Sequence, residues 1–504
     1  MKWCAKGAAA FALMLMVSLT GRVWADCADG QGLILLHFND FHGQLEPYVD
    51  PGTQAEVGGI ARLAAAVSQV RAEAEAQGRP VLLLFAGDLL QGTLTSSLFL
   101  GIPDLILLDR LGVDAAAMGN HELDYGQDAF RHLLALSAFP FLTANVQAHP
   151  EPLPVRPAVL FAKPNGPRVA VLGLTTPELA TATHPRNVVG ISVEDPVTVA
   201  RRRVPELAAE ADLVVVLSHM GIADDRRLAR EVADIDLIVG GHNHNVYAQP
   251  EQEGAVPILQ AGERGRWLGR LDLDCRDGYL VRSGYRLLPM DASAPQDPEV
   301  AAEVTRIAAE ADRGLAETVG RSEVDLGAGR EEIRRGEAVF GDFVADLARE
   351  ITQADLALFN SGGFRAGIPA GDVTLKQIYQ AFPFRNELVV GDLTGAEILT
   401  ALGQSAAMEP ADNPGGFLQV SGLRYTIAAG RPEGVTLGGQ PLDPARRYRV
   451  VMPDFLAAGG DGYEVFNDMQ GRVPTGRLIS DMVIEAFRVG EPVAPRLDGR
   501  IVRR

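Results

Sequence analysis

Between residues 33 and 274, short apolar runs rich in Val, Ile and Leu recur between Ala-, Arg- and Glu-rich stretches of helical character. The runs at 33–38, 81–86, 115–118, 141–144, 169–174, 213–217, 237–239 and 256–260 are strand-length and nearly continuous in apolar residues. That is the pattern of strands covered on both faces. Such strands alternating with helices predict an α/β layered domain. Residues 295–318 read as one long Ala- and Glu-rich helix after a turn-like stretch at 291–295. From about residue 319 the pattern changes to mixed helices and short strands with Gly-rich turns, a second domain of α+β type. The expected division is therefore 26–290, a connector helix within 291–318, and 319–504, with no internal repeat and no low-complexity tract.

The N-terminus carries Lys2 and Lys6, an apolar stretch at 8–19, and Val23-Trp24-Ala25, the small-residue ending of a signal-peptidase site. Residues 1–25 are expected to be removed on export to the periplasm or the exterior. The apolar run is shorter than the ~20 residues that a membrane span needs, so no stable membrane anchor is expected. Cleavage would leave Cys27 and Cys275, enough for one bridge in an oxidising compartment. A length of 504 residues allows two full cores. The formal charge of −19 argues against binding polymeric nucleic acid or anionic lipid, while leaving room for a locally positive site for a small anion. Nothing in the sequence sets the oligomeric state.

Five segments end apolar runs with residues that ligate metals: Asn39-Asp40-Phe41-His42, Gly87-Asp88, Gly119-Asn120-His121-Glu122, Ser218-His219 and Gly240-Gly241-His242-Asn243-His244. Of the 9 His in the chain, those outside these segments, His37, His132, His149 and His184, read as structural or exposed. On an extended backbone side chains two apart share a side, so Asp40 with His42, and His242 with His244, can each point two ligands at one place. All five segments fall at the carboxyl ends of their strands, where α/β sheets form their functional crevice.

The donor set of imidazole, carboxylate and amide oxygen, without thiolate, selects Zn, Mn, Fe or Co. Asp88 is the natural bridge between two divalent ions. Asp40, His42 and His244 would complete one ion, and Asn120, His219 and His242 the other. Two ions so bridged clamp a phosphoryl oxygen and acidify a bound water. His121 and Asp124, three apart at an expected helix start, form a dyad for stabilising the transition state and protonating a leaving oxygen. Taken singly, each of these short segments is more often a turn or a cap. Their combination in this order is what points to a two-metal hydrolase.

With these motifs in place, the chain resembles the 5'-nucleotidase family of the metallophosphoesterase superfamily, which includes bacterial 5'-nucleotidases, periplasmic UDP-sugar hydrolases and animal ecto-5'-nucleotidases. The resemblance covers nearly all of the expected mature chain. It implies a calcineurin-like metallophosphoesterase domain, a connector helix and a C-terminal nucleotidase domain. It also implies two divalent ions (Zn, Mn or Co) and a small-molecule nucleotide substrate. In that family His244 is replaced by Gln or Asn in some members, and Gly is frequent where this chain has Arg385.

The second domain carries Asn360-Ser361-Gly362-Gly363-Phe364-Arg365, Phe382-Pro383-Phe384-Arg385-Asn386, and Phe455 followed by Gly459-Gly460-Asp461-Gly462. Aromatic faces stack on bases, Asp accepts from ribose hydroxyls and Arg grips phosphate. Ordinary core packing and tight turns are the plain alternative for these residues. The resemblance assigns the base to Phe384 and Phe455, the ribose to Asp461, base or sugar contacts to Asn360 and Asn386, and phosphate to Arg365 with Arg334 as a second cation. It implies catalysis by domain closure across the connector, with hydrolysis of nucleoside 5'-phosphates and room for nucleotide sugars or polyphosphates. Two alternatives remain: a thiosulfohydrolase acting on a carrier-bound sulfur group, and a non-catalytic surface or binding protein.

Overall fold

The computed structural model describes residues 31–504 apart from 51–52, 314, 328–329, 385 and 413. The expected signal segment, Cys27 and Arg385 lie outside the described residues. Cys275 is buried and disulfide-bonded.

Two six-stranded sheets build the first part of the chain. In one, Gly32–Phe38, Val81–Phe85, Ala115–Ala117 and Phe141–Leu142 run parallel, and Trp267–Arg276 and Tyr279–Pro289 extend it antiparallel. In the other, Arg168–Thr175, Leu213–His219, Leu237–Val239 and Val256–Leu259 run parallel between two antiparallel edges.

The continuous apolar runs have a simple cause, because alternate side chains of each strand enter different cores. Leu33, Leu35, Leu82, Leu84, Val171, Val215 and Leu217 meet between the sheets. Ile34, Leu36, Phe38, Leu83 and Phe85 face the helices Ile60–Ala76, Ile102–Leu111 and Gln127–Leu136. Leu172, Val214, Val216 and Ile238 face Pro196–Ala208 and Ile222–Glu231. The result is four layers, helix, sheet, sheet, helix. Where the sheets touch at one edge, Gly173 is required: a Cβ there would sit 2.4 Å from Leu142.

The long helix expected at 295–318 is shorter. It spans Pro298–Ala311, starting at Asp297, whose side chain accepts from the backbone N–H groups of Glu299 and Val300, with Pro298 in its first turn. Its apolar stripe Val300, Val304 and Ile307 belongs to the first core, so the helix is docked along the first domain. The β-branched pair Thr318-Val319 opens a strand, Thr318–Ser322, that pairs with Gly371–Thr374.

The rest of the chain centres on a five-stranded mixed sheet whose middle strands are Leu356–Asn360, Arg447–Pro453 and Glu387–Thr394. One face packs on the helices Val339–Thr352 and Ile479–Arg488. The other packs on Gly395–Ala407 and on strands of a four-stranded sheet.

Candidate metal centre and substrate cavity

The five ligand-bearing segments leave the C-terminal ends of parallel strands from both sheets, and the two sheets bring those ends together. The backbone at these points is not extended, contrary to the expectation for Asp40–His42 and His242–His244. Asp40 (φ 49°), His42 (φ 51°), Asp88 (φ 58°), His242 (φ 78°) and His244 (φ 59°) all lie in the left-handed region. Non-glycine residues held there mark a backbone bent for a purpose. Two glycines make room for the bends. A Cβ on Gly119 would lie 2.2 Å from Asp88 Oδ1, and one on Gly241 2.6 Å from the carbonyl of Ala86.

The bends sort the ligands into two clusters. Asp40, His42 and His244 bring one donor atom each to within 4.8 Å of one another, as do Asp88, His219 and His242, and the group His42, Asp88 and His121 lies equally close between them. In the first, the Nε2 atoms of His42 and His244 face each other at 3.1 Å, and His244 Nε2 is 3.3 Å from Asp40 Oδ1. In the second, His242 Nδ1 is 3.0 Å from Asn120 Oδ1. Asp88 stands between them, its Oδ2 3.1 Å from His219 Nε2 and 4.0 Å from His42 Nε2.

Hydrogen bonding fixes which ring nitrogens face inward. Nδ1 of His42 meets the carbonyl of Gln91 at 2.7 Å, and Nδ1 of His219 meets that of Ala86 at 2.7 Å. Each Nδ1 therefore donates to a backbone carbonyl, so Nε2 is the nitrogen turned toward the cluster, where it serves as a ligand once deprotonated. His219 Nε2 is buried and lies 3.1 Å from Asp88 Oδ2. His244 Nδ1 lies 3.2 Å from Glu263, a carboxylate behind an imidazole.

The charges agree with this geometry. Burial opposes a cation on His219, yet Asp88, Asp40 and Glu122 push its pKa to about 10. Burial likewise opposes one on His244, and Glu263 and Asp40 push it to about 9. Burial and neighbouring His244 hold His42 neutral. The pocket thus favours positive charge at its centre, and its donors fit divalent cations.

Sequence reading missed the supports of this centre. Glu122, within a recognised motif but without an assigned role, accepts from the N–H groups of Leu89 and Gly119 at 2.8 Å each and so clamps the Asp88 loop. Asn39 ties the Asp40 loop to the 261–262 turn. Gln91 couples His42 to the second domain, since its side-chain oxygen accepts from Arg365 at 2.9 Å.

His121 and Asp124 meet across a single 3₁₀ turn, His121–Leu123, with Nδ1 2.5 Å from Asp124 Oδ2. Burial works against the imidazolium, but Asp124 and Asp88 outweigh it and raise the His121 pKa above its ordinary value. His121 Nε2 is 4.0 Å from Asp88, at the edge of the cluster.

A cavity of about 1150 Å³ opens over the centre. His42, Asp88, Asn120, His121, Asp124, His242 and His244 line one end, while Asp40 and His219 are fully buried beneath it. Arg334, Asn360, Arg365, Phe384, Asn386, Phe455 and Asp461 line the rest. Arg365 lies over the Phe384 ring, 5.8 Å from its centroid. Asn360 donates to Asp461 at 2.8 Å. A Cβ on Gly460 would come within 2.5 Å of the Phe455 ring, which explains the glycine in that turn.

Phe364 and Phe382, from the same motifs, pack with Phe340 in the core, although Phe382 also reaches the cavity. Among the other histidines, His132 and His149 are exposed and His37 is buried beside Tyr285 with its Nδ1 unpartnered. His184, expected to be structural or exposed, lines the cavity.

Residues 33–246 match the calcineurin-like phosphoesterase family model, and residues 318–468 match the 5'-nucleotidase C-terminal domain. A 5'-nucleotidase of Vibrio cholerae is 31% identical over 92% of this chain and 91% of its own length. The chain belongs to the 5'-nucleotidase family of calcineurin-like phosphoesterases. Among solved structures, a 5'-nucleotidase precursor from Thermus thermophilus is similar, with TM-score 0.83 and 33% identity over 94% of this chain and 99% of that one. The trifunctional nucleotide phosphoesterase YfkN of Bacillus subtilis is 31% identical over 93% of this chain, which spans only 35% of YfkN's length. The sulfate thiohydrolase SoxB of Thermus thermophilus shares the fold alone, at TM-score 0.76 and 23% identity over 95% of this chain and 98% of that one. Family membership makes this chain a metal-dependent phosphoesterase and sets aside the non-catalytic reading.

The crowding at Gly119 yields a prediction. Gly119→Ala should displace Asp88 and weaken Mn²⁺ binding by about tenfold or more, measured by titration calorimetry. Unaltered affinity would contradict the role given to this glycine.

Proposed function

We propose that this protein is an exported dimetal 5'-nucleotidase that hydrolyses nucleoside 5'-phosphates to nucleoside and phosphate, with room for nucleotide sugars or polyphosphates. The observation that carries the reading is one cavity with two ligand clusters at one end and Phe384, Phe455 and Asp461 at the other. Export rests on the leader-like residues 1–25. Among the described residues, no helix is long and apolar enough to cross a membrane. The functional division we adopt is 26–290, 291–318 and 319–504.

Asp40, His42 and His244 would hold one divalent ion, Asn120, His219 and His242 the other, and Asp88 would bridge them. Zn, Mn or Co suit this donor set. Bound there, two ions supply Lewis acidity toward phosphoryl oxygens and acidify a water. The chain's own groups do the remainder. Asp124 orients His121 and favours its cation, and from there it would give a proton to the departing ribose oxygen. Arg365 and Arg334 offer positive charge to the phosphate. Phe384 and Phe455 take the base, Asp461 accepts from ribose hydroxyls, and Asn360 and Asn386 contact base or sugar. Because the cavity is lined from both domains, catalysis calls for their closure across the connector, with hinge rotation as the motion we assign to it.

Phosphate release from a panel of nucleotides, with EDTA and then Mn²⁺ or Zn²⁺, tests the reading. Activity should vanish with chelator and return with metal, whereas inertness toward every nucleotide would favour a thiosulfohydrolase. His121→Ala should lower kcat by about 10²-fold or more with metal content unchanged. Near-normal turnover in that variant would refute the proton-donor role.

Asp461 yields a pH test. Burial pushes its pKa up to about 6, against the Asn360 hydrogen bond and the Arg334 charge. The carboxylate that accepts from ribose therefore prevails above that pH and is lost as pH falls through it. Product inhibition by adenosine should weaken about tenfold between pH 7 and pH 5, following the ionised fraction. That dependence should disappear in Asp461→Asn, and a flat profile in the unaltered protein would count against the assignment.

A further inference from the structure

The nucleoside end of the cavity is not built by the second domain alone. The segment around the 3₁₀ turn Pro185–Val188, from the phosphoesterase domain, crosses to the second domain at Asp454 and Phe455. It is anchored to the loop that carries Asn120, His121 and Asp124. Thr183 Oγ1 donates to the carbonyl of Asn120 at 2.8 Å, and Asn187 Nδ2 donates to that of Asp124 at 2.9 Å. Its other side faces the second domain. His184 Nδ1 accepts from the backbone N–H of Arg186 at 3.2 Å, which places the ring proton on Nε2, 3.3 Å from Asp454 Oδ2. Asp454 Oδ1 in turn accepts from the backbone N–H of Phe455 at 2.9 Å. The His184 and Phe455 rings lie against each other at 6.3 Å, inclined by 60°. Arg186 reaches the same carboxylate at 3.5 Å from an exposed position, where an ion pair contributes little.

We infer that His184 is a positioning residue for nucleobase recognition, supplied by the phosphoesterase domain: through Asp454 and its own ring it sets Phe455 in register with the catalytic loop. This inference rests on the nucleotidase reading above. His184 and Asp454 are largely buried, at 15% and 11% side-chain exposure, so water replaces their hydrogen bond poorly. A substrate with a base depends on this contact, because its base must meet Phe455 while its phosphate meets the centre. A phosphate ester without a base does not depend on it.

The test compares AMP with p-nitrophenyl phosphate in the Mn²⁺-loaded protein. His184→Ala should raise KM for AMP by about tenfold while kcat and KM for p-nitrophenyl phosphate stay within about twofold. His184→Gln keeps a donor toward Asp454 and should recover most of the AMP affinity. An equal loss on both esters, or unchanged KM for AMP in His184→Ala, would overturn the inference while leaving the nucleotidase reading intact. An unaltered protein that cleaves p-nitrophenyl phosphate but no nucleotide would overturn both.

Discussion

A single buried carboxylate, that of Asp88, governs the arrangement of this molecule's chemistry. It is 2% exposed and lies between two groups of imidazoles, with one oxygen toward His219 and His42 and the other accepting from the backbone of His121 at 3.0 Å. An isolated anion in such a place would be expensive. It is tolerated because the protein surrounds it with groups that carry or attract positive charge, and because Glu122 and Gly119 hold its loop in a conformation that few residues adopt. The two sheets, the short strands and the left-handed turns at their ends can all be understood as the scaffold that keeps this carboxylate fixed among its neighbours.

The layered domain was legible because burial on two faces leaves a strand no polar positions, and runs such as 33–38 and 213–217 have few others. Which strands share a sheet was not legible. The pairing of Gly32–Phe38 with Trp267–Arg276 depends on contacts far apart in sequence. The length of the connector helix was overestimated: it ends at Ala311 with Asp312 as its cap, and the strand Thr318–Ser322, paired with Gly371–Thr374, follows within a few residues.

At the site, the ligand-bearing segments were visible as side chains of one chemistry at strand ends, and those side chains do meet. They meet by a different route from the one that spacing suggests. Extended backbone would have sufficed on paper, but the chain instead bends at Asp40, His42, His242 and His244. Glu122 and Gln91 act through backbone groups and through a partner in another domain, which leaves no local signature. His184 was unreadable for the same reason, since its partner Asp454 lies 270 residues away.

The two domains divide the work unevenly. The first fixes charge and geometry at the centre, and the second brings aromatic rings and cationic groups to the same cavity. Among the contacts between them, Gln91 with Arg365 joins the loop beside His42 to a cavity cation, and His184 with Asp454 joins the segment anchored to the Asn120 loop to the segment that carries Phe455. The central claim is that Asp88 joins two cation sites. Anomalous diffraction from crystals grown with Mn²⁺ tests it most directly. The account predicts two peaks, one beside Asp40, His42 and His244 and one beside Asn120, His219 and His242, with Asp88 touching both. A single peak, or peaks remote from Asp88, would contradict it.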